Sequence, residues 1–242
     1  MFNTKNALET IRMIDQQHLD VRTVTMGISL RGCADSDPKK SCRKIYDTIT
    51  HRAESLVKTV EQIEAEFGIP IVNKRISITP ASFLTANFPG EEVVLARALD
   101  QAAKTVGVDF LGGYSALVHK GMTERERSFI ESIPEALAVT DRVCSSVNVG
   151  TSKSGINMDA VRLLGRIIKE TAEKTAKKDG LGCAKFVAFA NAVEDNPVIV
   201  AVVRMGREIF DRLGRGVGEE DDFYVALVCL YRCNGVTRCR LS

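Results

Sequence analysis

The residues best equipped for chemistry stand in one segment, RVCSSVNVGTSKSGINM, Arg142–Met158. Ser145, Ser146 and Asn148 fall in a short stretch with strand-like alternation, and Gly150–Thr151–Ser152–Lys153–Ser154–Gly155 follows as a small-residue loop that opens onto an amphipathic run. A loop between a strand and a helix start offers backbone N–H groups and the positive end of the helix dipole to an anion. Ser152, Lys153, Ser154 and Gly155 are therefore candidate ligands for a phosphate or carboxylate, with Lys153 as counter-charge. The loop is not a P-loop, because the GxxxxGK[ST] spacing is absent. A plain capping role for Ser154 or Asn157 competes with the anion reading.

A second cluster, Glu194–Asp195–Asn196, stands just ahead of Pro197. Adjacent carboxylates beside an Asn hold a hard divalent ion through waters or serve in proton transfer, which makes Glu194 and Asp195 the candidate catalytic pair. Asn196 and Asn191 join the candidate ligand-binding set; a simple polar turn before the proline is the competing account. Asn148 and Asn191 fall inside strand-like segments, where Asn is disfavoured, and a shared polar interior would explain them. Cys144 reads as a buried, inert thiol. His119 follows an apolar segment and could act as acid or base, although no local partner supports it. No metal site is assigned, and no cofactor can be named.

The elements that must position these groups alternate strand with helix. An opening helix is expected over Thr4–Gln17, then strands over Val21–Leu30, Ile69–Thr79, Asp109–Val118, Val143–Val149 and Ala184–Val193. Between them the pattern predicts one long helix from Pro38 to Phe67, then helices over Glu91–Val106, Thr123–Val139 and Asn157–Lys177. Thr123 and Glu126 have the spacing of a capping box. Such alternation implies a largely parallel sheet. Each strand has one apolar face and one of Ser, Thr, Gly and Asn, as in Val24, Met26 and Ile28 against Thr23, Thr25 and Gly27. Strands of a doubly wound sheet read as continuous apolar runs, because both faces are buried. A closed or half-closed barrel with a polar interior fits better; an open sheet with one wet face is the alternative.

Composition narrows the partners. The chain has 242 residues, a formal net charge of +2, and 45% hydrophobic and 26% charged residues. That balance gives neither the basic footprint of a nucleic-acid binder nor attraction to a membrane surface. Apolar runs are too short to span a bilayer. Seven cysteines without framework spacing read as reduced thiols in a cytoplasmic protein.

Four blocks, GIPIVNKRISITP (Gly68–Pro80), GVDFLGGYSALVHKG (Gly107–Gly121), CSSVNVGTSKSGINM (Cys144–Met158) and FANAVEDNP (Phe189–Pro197), resemble an uncharacterised family, the "PFL family proteins" or domain of unknown function 711. TMGISL (Thr25–Leu30) and IPEALAVTDRVCSS (Ile133–Ser146) fit the same family. The resemblance implies an α/β fold: one five-stranded half of the ten-stranded pyruvate formate-lyase-like barrel, with outer helices. It covers roughly residues 1–197, expected to be one half-barrel domain; residues 198–242 depart from the pattern and are expected to stand outside the family fold, so the chain reads as truncated. The family's barrel relatives use a cysteine in radical chemistry, but no glycyl radical loop is present here, and fold alone does not transfer a reaction.

The expectation for function is a protein that binds or converts a small anionic metabolite without a glycyl radical. A metabolite-binding regulator and an inactive truncated product are the alternatives. A homodimer is one way to cover the exposed sheet edges of a half barrel.

Overall fold

The structure is a computed structural model that describes residues 8, 11, 12, 15, 16, 21–85 and 90–191, and the backbone of 223–229. Its parallel strands are β1 (Val21–Ile28), β2 (Asn73–Ile78), β3 (Phe110–Leu117) and β4 (Val143–Thr151). A two-residue strand, β5 (Gly155–Ile156), folds back antiparallel on β4. β6 (Phe186–Ala190) resumes the parallel set on the same side of β4. The order across the sheet is therefore β6-β4-β3-β2-β1, and β7 (Phe223–Cys229) pairs antiparallel with β1 at the far edge.

Spatial order follows chain order, and this decides the layering. When each crossover has the usual right hand and each strand joins the outside of its predecessor, all connecting helices fall on one face. The helices are α1 (Pro38–Arg52), α2 (Leu56–Phe67), α3 (Ala81–Leu84), α4 (Glu92–Val106), α5 (Glu124–Val139), α6 (Met158–Lys174) and α7 (Leu181–Ala184). One buried cluster joins Met26, Ile28, Ile76, Leu111, Val143 and Val147 from the strands to Ile45, Leu99, Phe129, Ile133, Leu164 and Ile167 from α1, α4, α5 and α6. Each such side chain contributes about 1.5–3 kcal/mol on burial. The mixed α/β class, the parallel-rich sheet and the alternation of the elements are as expected. No helix among the described residues is long and apolar enough to cross a membrane.

The second face carries the small polar residues. Gly27, Ser77, Gly112 and Cys144 are lateral neighbours in register and form one row across four strands. Ser115 and Ser146 are paired in the next row. Ser77, Ser115 and Asn148 are nonetheless at most 8% exposed.

Several elements differ from expectation. The helix expected to run unbroken from Pro38 to Phe67 breaks at Ala53, with no Pro or Gly at the break. The reason is packing: Ile45, Ile49 and Ala53 enter the main core, whereas Val60 of α2 joins a separate cluster with Val24 and Ile71. One straight axis cannot serve both. Strand β1 ends at Ile28, β2 begins only at Asn73, and Ala184 belongs to α7 instead of the last parallel strand. Asn191 stands just past β6. The expected opening helix, Thr4–Gln17, lies largely outside the described residues.

The expected capping box forms, and a glycine pair makes a β-bulge. Thr123 and Glu126 form the capping box: the Glu126 amide donates to Thr123 Oγ1 (3.3 Å), and the Thr123 amide donates to Glu126 Oε2 (2.8 Å). Gly112–Gly113 marks a β-bulge, because Gly112 pairs with Cys144 but the next pair is Tyr114 with Ser145. Gly113 has φ +124°, and a Cβ there would lie 2.8 Å from the Ile78 carbonyl oxygen. Only glycine fits.

Candidate functional site

In a parallel sheet every strand delivers its following loop to the same edge. Here that edge is formed by the segments after Ile28, Ile78, Leu117, Thr151 and Ala190. Short bonds tie the segments together. The Leu30 amide donates to Thr79 Oγ1 (3.1 Å), joining the ends of β1 and β2. The Val118 amide donates to the Asn148 carbonyl (3.0 Å), and Asn157 Nδ2 donates to the Val118 carbonyl (2.9 Å).

The 150–155 loop is a hairpin. Thr151 pairs with Gly155, and Gly155 takes φ +74°, the left-handed residue that closes a three-residue hairpin loop. The sequence has this loop opening directly onto a helix; the structure inserts β5 between them. The helix begins at Met158, and its N-cap is Asn157, whose Oδ1 accepts from the Ala160 amide (3.1 Å). A β-bulge at Asn148–Gly150 explains the in-strand asparagine: Asn148 Oδ1 accepts from the Gly150 amide (3.2 Å), where the ladder slips.

The structure brings two of the candidate ligand residues into contact. Asn191 Oδ1 accepts from the Ser152 amide (2.9 Å), while the Asn191 amide donates to the Gly150 carbonyl (2.7 Å). Asn191 holds φ +56°, a conformation that Asn tolerates better than most residues. Ser154 turns inward on the loop: its amide donates to Thr151 Oγ1 (3.1 Å), and the two hydroxyls lie 2.6 Å apart. Ser152, Lys153, Ser154 and Gly155 are exposed. Two loop amides thus have partners within the protein.

The remaining candidates divide. Ser145 and Ser146 are consecutive in β4 and point to opposite faces. Ser145 shares the helix-side face with Val143 and Val147 and is 3% exposed. Ser146 and Asn148 share the face without crossovers. Glu194, Asp195 and Asn196 lie outside the described residues. Among the described residues no group of three or more His, Cys, Asp or Glu could hold a metal ion.

Two groups at this edge were missed or set aside by the sequence reading. Ser82 Oγ and His119 Nδ1 are buried without a hydrogen-bond partner. Ser82 stands in α3, just after β2, and His119 stands just after β3, so they leave the C-terminal ends of neighbouring strands. A buried polar atom left unpaired costs about 1–3 kcal/mol, so such atoms call for an explanation. The only sequence signal for Ser82 was a polar residue among the apolar ones of ASFL.

The electrostatics separate this edge from the opposite one. The ion pairs of Lys74, Asp100 and Asp141 stand at the starts of the strands, opposite the loops, and so does Cys144, the second residue of β4. Burial pushes the Cys144 thiol up, and Lys185 and Arg75 pull it down only in part, so it stays protonated at neutral pH. Asp100 accepts from the amides of Asp141 (2.9 Å) and Arg142 (2.7 Å) and pairs with Lys104 (2.7 Å). Lys185, only 7% exposed, donates to the carbonyls of Thr140 (2.6 Å) and Leu137 (3.2 Å) at the end of α5. This network fixes strand starts to helix ends; it is scaffold.

The model of the family described as Uncharacterised ACR (DUF711) matches residues 12–217. A UPF0210 protein of Desulforamulus reducens is 59% identical over 198 residues, covering 81% of this chain and 44% of the relative. One from Clostridium beijerinckii is 62% identical over 196 residues, with the same two shares of 81% and 44%. One from Listeria monocytogenes is 54% identical over 219 residues, or 90% of this chain and 46% of the relative. The chain spans less than half the length of these relatives.

Proposed function

The chain belongs to the DUF711 family, and we propose that it binds a small anionic metabolite at the C-terminal edge of its parallel sheet. One observation carries this reading. Ser82 Oγ and His119 Nδ1 are buried, unpartnered, and attached to the ends of adjacent strands. Polar atoms desolvated without a protein partner suit a ligand's oxygens better than they suit a structural role. The β4–β5 hairpin, carrying Lys153 and held by Asn191, places a cation at the same edge.

The row Gly27–Ser77–Gly112–Cys144 supports a finer proposal, that the sheet is one half of a pyruvate formate-lyase-like barrel with this face inward. In that barrel Cys144 is a packing residue, its thiol held protonated by burial. Reduced Cys33, Cys42, Cys144 and Cys183 suit the cytoplasm.

The test is a thermal-shift and calorimetry screen of the full chain against inorganic phosphate, phosphorylated metabolites and small carboxylates. A binder at a hundred times its dissociation constant stabilises by about 2.7 kcal/mol. His119→Ala and Lys153→Met should each weaken that binding. If no anion in the set stabilises the protein, the proposal is wrong. Glu194→Gln then separates an enzyme, in which turnover of the bound metabolite ends, from a regulator, in which only affinity moves.

A further inference from the structure

The flank of the molecule beside β6 carries a row of apolar side chains that stand exposed among the described residues. Ile156, Met158, Val161, Ile168, Leu181 and Val187 are each between 38% and 65% exposed, and all belong to the run from β5 to β6. On α6 the exposed members form a stripe. At about 100° per residue, Met158, Val161, Gly165 and Ile168 fall within about 80° of arc. Leu163, Leu164 and Ile167 turn into the core, and Lys174, which binds Glu135 of α5 (3.1 Å), points to the side away from the stripe. The stripe therefore faces outward, past the last helix of the layer. The strand that follows, β6, is bonded to β4 on one side and to no strand on the other among the described residues.

We propose that this flank is a docking surface for a second copy of the same chain, related by a two-fold axis normal to the sheet. The sequence of β6, Phe186–Val187–Ala188–Phe189–Ala190, is complementary to itself. Paired antiparallel about Ala188, Phe186 of one copy faces Ala190 of the other, and Val187 faces Phe189, an aliphatic–aromatic cross-strand pair. The strand has no charge and no proline, the devices that usually protect an edge from pairing. An axis normal to the sheet keeps both helix layers on one side, so α6 of each copy lies beside α6 of the other. The dyad passes Ala188, the small residue that leaves room for that approach, and Gly165, where an added Cβ would meet nothing within 4 Å. Strand edge and helix stripe are thus buried by one operation, and the contact closes at two copies.

Light scattering of the full chain at micromolar concentration should give twice the 26.5 kDa mass of one chain. The double variant Val161→Glu/Ile168→Glu changes only exposed positions, so its circular dichroism should match wild type while dimer dissociation rises at least tenfold. Ala188→Cys should yield a covalent dimer on mild oxidation, reversed by reductant, which wild type treated in parallel does not form. A wild-type chain of single mass overturns the proposal, as does an open series of larger species. A dimer that tolerates the double variant, or Ala188→Cys without a covalent product, assigns the contact to another surface and overturns it equally.

Discussion

Asn191 reaches across 39 positions of sequence to accept the Ser152 amide at 2.9 Å, and so fastens the end of β6 to the tip of the β4–β5 hairpin. The bond depends on φ +56° at Asn191, which aims the side chain back over the loop. Replacing it with Gly keeps the backbone conformation but removes the acceptor; replacing it with Ala removes the acceptor and adds left-handed strain of about 1 kcal/mol. Urea melts should rank wild type above Asn191→Gly, and Asn191→Gly above Asn191→Ala. Equal stability in all three would mean that the bond does not organise the hairpin.

Ser82 and Ser145 give a paired prediction. Both hydroxyls are buried and unpartnered, so Ser→Ala removes a desolvated polar group and should be neutral or stabilising by up to about 1 kcal/mol at either site. Only Ser82 stands at the strand-end edge. Ser82→Ala should therefore weaken anion binding several-fold while Ser145→Ala leaves it unchanged, as read by titration calorimetry. Identical affinities in the two variants would remove Ser82 from the site.

Gly113→Ala should be among the most damaging single changes. The new methyl meets the Ile78 carbonyl at 2.8 Å and its side chain closer still, on a backbone with φ +124°. Strain of about 1–3 kcal/mol at such a φ adds to overpacking of similar size. Chemical denaturation should show a loss of at least about 2 kcal/mol. Gly32→Ala, with open space around it, serves as the control.

Lys185 offers a test in pH. Burial depresses its pKa below the ordinary lysine value, so between the folded and unfolded pKa values the unfolded chain holds more protons than the native one. Stability then rises with pH through that interval, and the gain is complete above the unfolded value near 10.5. Lys185→Met lacks this alkaline component and leaves the Thr140 and Leu137 carbonyls without their donor, at a cost of about 1–3 kcal/mol near neutral pH. The difference between wild-type and variant melts, followed toward alkaline pH, isolates the contribution.

The sequence made the repeating architecture legible because period-two alternation and helix stops are local signals. Gly68 and Gly107 end their helices in left-handed conformations, which glycine adopts without strain. The two-faced strands also survive in the structure as lateral rows. What escaped were features decided by distant neighbours. The Ala53 break follows from two cores that no window of sequence displays. The β5 turn-back hides in a Ser/Gly stretch that equally describes a capping loop. Ser145 and Ser146 looked like one polar pair, and the pleat separates them. His119 carried no local partner, and the burial of its Nδ1 is a property of the fold.

The pairing of β7 with β1 bears on how the molecule is assembled. Each parallel strand docks on one already laid down a few dozen residues earlier, so the sheet can extend step by step as the polypeptide emerges from the ribosome. The outer rail of β1 is different: its complement, Phe223–Cys229, comes only after every described parallel strand has been synthesised. Closing so long a loop is entropically the slowest step available. During synthesis the nascent chain therefore carries an unzipped border at its oldest strand, and that border is the place where chaperone capture or mispairing would begin.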